Sequence, residues 1–351
     1  MTISKAPGPR MTQRRIAELV GVSQATVSLV LNGKADEASR IPAATRDRVL
    51  EVIRETRYVA DPAARRLAGV GNKILGVFTY ESAFPTATQD FYTPLLTGIE
   101  AAAEELGCDL LLLTSAPVID GRRRLLHEQN RLGLVDGCLL LGLEMDTAEL
   151  EQLVAEGFPF VAIGRREAQG VPYVGADYVG GTAELVRRAY ALGHRRFAYV
   201  HLTSTGESIL DRQRGLHEEI AALGDATVLM RPSDGTDSSA DWRAVRDSGA
   251  TVLIAETVRI ADDLLDHAKA DGVDVPSDLS VIALGDVTTA SRQDVDLTRL
   301  VPPRTLLASE ATLLLARILD PSHEVSPEEA RTLLDCAIVD GATLAPLRAT
   351  P

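Results

Sequence analysis

The chain is poor in cysteine and aromatic residues and has no long apolar run. Its 351 residues include three cysteines, Cys108, Cys138 and Cys336. They are widely separated, odd in number, and match no disulfide or metal-ligand spacing, which points to a reducing cytoplasm. The longest apolar stretches, Leu110–Leu113 and Cys138–Leu143, fall far short of the roughly 20 residues that cross a bilayer. The opening MTISKAPGPR has no apolar core, so no signal peptide and no membrane partner are expected. Phosphate-loop, zinc-protease, nucleophile-elbow and dinucleotide-binding motifs are all missing. The six histidines are scattered, and His194 in LGHRR reads as structural. No catalytic constellation, cofactor or metal is expected.

Apolar residues make up 45% and charged residues 25%, as in an ordinary globular protein, and the length suggests two or three domains. The net charge of −14 hides an asymmetry. Residues 1–70 hold 12 Lys/Arg against 7 Asp/Glu, a balance of +5, which leaves −19 on the rest. A small basic head on a large acidic body suggests that only the head faces a polyanion. Within that head the one aromatic is Tyr58. Single-strand binders need several stacking aromatics, so duplex is the expected target.

The segment TQRRIAELVGVSQATVSLVLNG (12–33) is the most informative. Ile16, Leu19 and Val20 recur at helical spacing, and Gly21 permits a turn with positive φ. Ser23 stands at an N-cap, and Val27, Val30 and Leu31 give a second helix one apolar stripe. Two short helices about a glycine turn predict a helix-turn-helix. A plain helical hairpin in a core leaves unexplained why Gln24, Ala25, Ser28 and Leu29 share the opposite face. A third helix is expected from Ala43 to Arg57, with Val49, Leu50, Val52 and Ile53 inward. DPAARRLAG (61–69) has a capping Asp61 and a helix-starting Pro62, yet is too short to be stable alone. It reads as a linker or as a helix that forms on a partner.

Head, third helix and DPAARRLAG together resemble the DNA-binding headpiece and hinge of the LacI/GalR family of transcription regulators. The resemblance implies that the second helix enters the major groove and that hinge helices from two subunits lie in the minor groove. Gln24, Ala25 and Leu29 then match base-reading positions, and Thr26, Ser28 and Asn32 match backbone-contacting ones. Ala64 and Leu67 match hinge contacts, Leu67 as the wedge that kinks the operator centre. Leu29 stands where many relatives carry Arg, so no bidentate contact to guanine is expected from it, while contact with a thymine methyl is open to it.

From Lys73 onward strand-like runs alternate with amphipathic helices: 73–80, 108–115, 135–142, 158–164, 196–202, 250–256 and 279–285, with a helix over 92–106 and an Arg-rich helix before 135. Runs apolar on both faces imply parallel sheets covered on both sides. TPLLTGIEAAAEELG (93–107), DRQRG (211–215), VPSDLSVIALGD (275–286) and IVDGATLAP (338–346) resemble the family's effector domain. That implies a type I periplasmic-binding-protein-like fold of two doubly wound α/β lobes. The lobes are expected at about 73–172 with 303–328, and 173–302 with 329–346, following a headpiece at 1–60 and a hinge at 61–72. By position, Phe91 and Tyr92 match the aromatic pair of the effector cleft. Arg165 follows a strand at a position that can also face the cleft, Arg212 matches an arginine that holds effector hydroxyls or carboxylates, and Asp286 lies beside Gly285, where relatives often carry Asp. Thr257-Val258 stands in place of the usual Asn-Asp, which argues against a simple sugar. The expected protein is a cytoplasmic homodimeric repressor of a palindromic operator, controlled by a small-molecule effector, a sugar or another metabolite. An exported solute-binding protein and a nucleoside- or sugar-acting enzyme are the rival readings.

Overall fold

The computed structural model describes residues 11–31, 41–56, 58, 71–81, 89–119, 121–287 and 295–347. Asn32, Ala64 and Leu67, and with the last two residues 61–70 of the expected hinge, lie outside the described residues. The chain divides into two compact units, Met1–Lys73 and Ile74–Pro351.

The first unit contains helices α1 (Gln13–Val20), α2 (Gln24–Leu31) and α3 (Ala43–Thr56). Thr12 caps α1 by accepting the Arg15 N–H at 3.2 Å. Gly21 ends it in the left-handed region at φ 75°, which a side chain would strain. Ser23 Oγ then accepts the Thr26 N–H at 3.1 Å at the start of α2. Ile16, Ala17, Val20, Val27, Val30 and Val49 form the core, edged by Leu31, Val52, Ile53 and Tyr58. Two apolar expectations are corrected: Leu19 and Leu50 stand 47% and 38% exposed. Each belongs to a helical stripe wider than a core of this size can cover.

The second unit contains two six-stranded sheets. The first is parallel throughout, in the order β13 (Arg331–Asp335), β7 (Tyr173–Asp177), β6 (Phe160–Ile163), β5 (Gly137–Leu141), β1 (Ile74–Thr79), β2 (Asp109–Leu112). The second runs β14 (Ala337–Val339), β12 (Thr298–Val301), β11 (Ser280–Ala283), β10 (Val252–Ala255), β8 (Arg196–Leu202), β9 (Thr227–Ser233), with β14 antiparallel. Side chains alternate between two apolar layers in each sheet. Leu75, Val77, Leu139 and Leu141 meet α4 (Gln89–Leu106) and α10 (Arg304–Leu319). Phe78, Cys138 and Leu140 meet α5 (Thr147–Ala155). In the second sheet Phe197, Tyr199 and Ile254 pack under α6 (Tyr178–Ala191) and α7 (Glu207–Leu223). Ala198, Val200 and Leu253 pack under α8 (Ser238–Asp247) and α9 (Val258–Ala270). Helices α4 and α10 approach so closely that a Cβ at Gly98 would collide with the Thr305 carbonyl.

The sheets correct two expectations. Strands β7 and β13 pair with each other in the first sheet, in register Arg331↔Tyr173. The chain therefore changes lobe after Asp177 and after Asp335, not at 172/173 and 328/329. The Arg-rich helix before 135 is absent. In its place lies a hairpin of β3 (Val118–Ile119) and β4 (Arg122–Arg123), turned at Gly121 with φ 78°, and a 3-10 turn at Leu132–Leu134. The arginines there pair outward rather than along a helix face: Arg122 with Glu144, Arg124 with Asp146, and Arg123 through Nη1 with Thr79 Oγ1 at 3.1 Å.

Candidate functional site

In the first unit, α2 sinks Val27 and Val30 into the core and turns Gln24, Ala25 and Leu29 to solvent, Leu29 at 39%. Thr26 and Ser28 are half-buried, and the Thr26 hydroxyl shares a 2.8 Å hydrogen bond with Ser23. On α1, Arg14 and Arg15 both lean on Glu18, at 3.7 and 2.7 Å. These pairs are exposed and contribute little to stability.

In the second unit a cleft opens between the sheets. The first lobe supplies Phe91 from α4, Leu143 after β5, and Arg165 and Arg166 after β6. The second supplies Ser208 and Asp211 from α7. Arg165 crosses from one lobe to the other in a fork: its Nε and Nη2 donate to the two Asp211 oxygens at 2.5 and 2.7 Å. Its Nη1 donates to Glu167 at 2.7 Å. Burial opposes the Arg165 charge, but Asp211 and Glu167 outweigh it and hold the guanidinium protonated. Arg166, 4% exposed, crosses in parallel to Glu207 at 2.7 Å and anchors on the Gly142 carbonyl at 2.9 Å. A third link runs from Glu144 to the Ser204 hydroxyl and the Thr205 N–H. Charged hydrogen bonds in such surroundings are strong, and a fork fixes orientation as well as distance.

Of the five positions expected to meet an effector, Phe91 and Arg165 line this cleft. Tyr92 does not: it is 1% exposed in the core of the first lobe, and its hydroxyl donates to Glu81. One residue further along a helix rotates the side chain about 100° away, so the adjacent aromatics cannot both face the cleft. Arg212 lies behind the wall, buried against Glu256, with Nη1 to Oε1 at 2.6 Å. It stacks 4.0 Å from the centroid of the Tyr178 ring. Glu256 is fully buried and also accepts from the Tyr199 hydroxyl. Burial disfavours the Arg212 cation, yet Glu256 outweighs it and keeps the charge in place. Asp286 lines an adjoining cleft with Pro94, Pro302, Pro303 and Arg304, and sits 3.4 Å from Arg299. Arg166, Asp211, Tyr178 and Arg304 also line the cleft, and sequence reasoning did not single them out. Asp211 was within sight in DRQRG, beside Arg212; the others carry no local motif.

With this geometry in view, three family models match the chain. "Bacterial regulatory proteins, lacI family" covers residues 13–61. "Periplasmic binding proteins and sugar binding domain of LacI family" covers 82–225. "Periplasmic binding protein-like domain" covers 186–344. The HTH-type transcriptional regulator CelR of Thermobifida fusca is 31% identical over 336 residues, 90% of this chain and 94% of that regulator. Catabolite control protein A of Priestia megaterium is 26% identical over 316 residues, 87% and 91% of the two chains. Among solved structures, a CelR–cellobiose complex superposes with TM-score 0.63 at 25% identity, over 95% of this chain and 100% of that one. The lac repressor dimer bound to operator and an anti-inducer shares the fold, with TM-score 0.71 at 20% identity over 96% and 100%. The chain belongs to the LacI family of bacterial regulatory proteins, DNA-binding transcriptional regulators with an N-terminal helix-turn-helix and a two-lobed α/β domain. No helix among the described residues is long and apolar enough to cross a membrane.

Proposed function

We propose that this regulator is a repressor that binds a palindromic operator as a homodimer and is released or recruited by a small molecule held between the lobes. The observation that carries this reading is α2. One side of it is sunk in the head's core, while Gln24, Ala25 and Leu29 are exposed and lie outside that core. An exposed helix face on a basic head suits the major groove. Palindromic recognition needs two equivalent heads, hence a dimer.

The cleft supports the control step. Arg165–Asp211 and Arg166–Glu207 bridge the lobes at its rim, so a ligand there competes with or reinforces closure. Such a ligand shifts operator affinity only to the extent that it distinguishes open from closed lobes. The cellobiose complex of CelR supports a small-molecule ligand in this fold. Asn32, Ala64 and Leu67 belong to the DNA-binding set on the family resemblance alone. Phe91 and Arg165 form the effector set, with Arg212 and Glu256 as the layer behind them, and the protein works in the cytoplasm. The experiment is a mobility-shift titration of the full chain on the DNA upstream of its own gene, with sedimentation of the complex. A footprint of two half-sites and a two-chain stoichiometry are expected. Binding no tighter than to random DNA of equal length overturns the reading.

A further inference from the structure

Four guanidiniums line or back the cleft, and three are matched by this chain's own carboxylates. Arg165 has Asp211 and Glu167, Arg166 has Glu207, and Arg212 has Glu256. Arg304 differs. It lines both the main cleft and the adjoining one, and no carboxylate among the described residues pairs with it. Its Nε is buried without a hydrogen-bond partner, as is that of Arg212, but Arg212 has Glu256 on its Nη1 and Arg304 has no such carboxylate among the described residues, a state that protein interiors rarely tolerate. The guanidinium lies 5.5 Å from the centroid of the Phe91 ring, a contact that steadies it without neutralising it. Asp286, in the adjoining cleft, leans instead on Arg299.

Of the three guanidiniums in the described lining of the main cleft, Arg165 and Arg166 are held by Asp211, Glu167 and Glu207, which leaves Arg304 as the cation without a carboxylate. Arg304 also opens α10, and the Pro303 N-cap supplies no side-chain hydrogen bond to the first N–H groups of that helix. Guanidinium and helix terminus thus present the same polarity. A neutral polyol gains little here: Arg212 is occupied by Glu256, and Asp211 by Arg165.

We propose that the effector carries an anionic group, a carboxylate or a phosphate ester, and that Arg304 receives it. This rests on the reading of the interlobe cleft as the effector site. A guanidinium fork suits either anion, and the apolar walls of Phe91, Leu95 and Leu307 exclude the water that would screen the pair.

The test measures melting of the full chain at constant ionic strength with four probes: glucose, cellobiose, gluconate and glucose 6-phosphate. Gluconate or glucose 6-phosphate raises Tm by ~5 °C at about 100 times its Kd, and which of the two acts separates carboxylate from phosphate. Arg304→Gln weakens that probe at least ~10-fold, and Arg304→Lys, which keeps the cation, recovers part of the loss. Circular dichroism verifies that both variants fold. Ser208→Trp, which fills the cleft, abolishes the response. If cellobiose stabilises wild type and Arg304→Gln equally, the cleft reading stands and the anionic assignment fails. If an anion still acts on Ser208→Trp, it binds elsewhere, and the cleft reading fails with it. No shift with either anion also overturns the assignment.

Discussion

Head and body hold their functional groups in opposite ways. In the head, Gln24, Ala25 and Leu29 stand in solvent on a core of six buried residues. In the body, most charged groups about the cleft, Arg304 excepted, are paired across distances of up to 46 residues in sequence, as between Arg165 and Asp211. A surface that reads a long, stiff polyanion has to be exposed before its partner arrives. A pocket that encloses a small molecule can satisfy its charges internally until the ligand replaces or joins them. The head therefore depends on a few methyl groups for its stability, and the body depends on ion pairs for its closure.

The sharpest way to break this contrast is Ile16→Ala. Ile16 is fully buried in the small core, and its truncation costs roughly 2–5 kcal/mol, comparable with the whole stability of so small a unit. Operator affinity should fall at least ~100-fold, while calorimetry shows the main transition of the body in place. A head that still binds operator normally would show a core larger than these six residues.

Arg165→Ala strips a buried carboxylate of its fork and leaves Asp211 with Arg214 alone, at 3.1 Å. Breaking a buried pair from one side costs about 3 kcal/mol, which should appear as a lower Tm of the body and a more open lobe angle by small-angle scattering. The double variant with Asp211→Asn should recover much of the loss; simple additivity would mean that the two groups are not coupled.

Gln24→Ala removes nothing from the core. Its expected effect is ~1–3 kcal/mol at one operator base pair, measured as the ratio of specific to random binding. An equal loss on both DNAs would take Gln24 out of base reading.

The smallest expected effect concerns His194, which is 2% exposed. It is bonded to Thr251 through Nδ1 and to the Ala345 carbonyl through Nε2, both at 3.0 Å. Burial lowers its pKa, and the Ala345 carbonyl offsets only part of that. The unfolded chain then binds a proton before the folded one does. Body stability is full above about pH 6.5 and declines as pH falls through the range between the unfolded and folded pKa values. His194→Gln should flatten that slope in chemical denaturation; an unchanged slope assigns the pH dependence to other groups.

Legibility follows the same division. The helix-turn-helix was readable because Ile16, Val20, Gly21, Ser23 and the Val27/Val30 stripe act within a few residues of one another. The central strands were readable because both faces of a parallel sheet are apolar. Edge strand β9 was not, since its residues are mostly half-buried and include Pro232. The Arg-rich stretch was misread because helical propensity in GRRRLLHEQN lost to side-chain pairing with Glu144 and Asp146. At the cleft, the positions of Phe91 and Arg165 in the sequence pointed to the lining where the structure has them. Tyr92 and Arg212 were placed one layer too far forward, since neither the rotation of α4 nor the pairing of Arg212 with Glu256 leaves a local trace.

The two lobe changes that misled the sequence reading also govern how the protein is made. The first lobe is finished by two late segments, α10 against α4 and β13 beside β7. A ribosome delivering residues from the N-terminus emits α4 some 200 residues before its partner. Until Leu307, Leu314 and Leu315 emerge, the apolar face of Leu95 and Ile99 has nothing native to cover it. Until Arg331–Asp335 follows, Tyr173–Asp177 remains an unpaired sheet edge. The second lobe shares this delay through β12 and β14. Neither lobe can mature as an independent N-terminal unit, so both close late and nearly together. Synthesis that stalls before about residue 335 would release an aggregation-prone intermediate rather than a smaller folded protein.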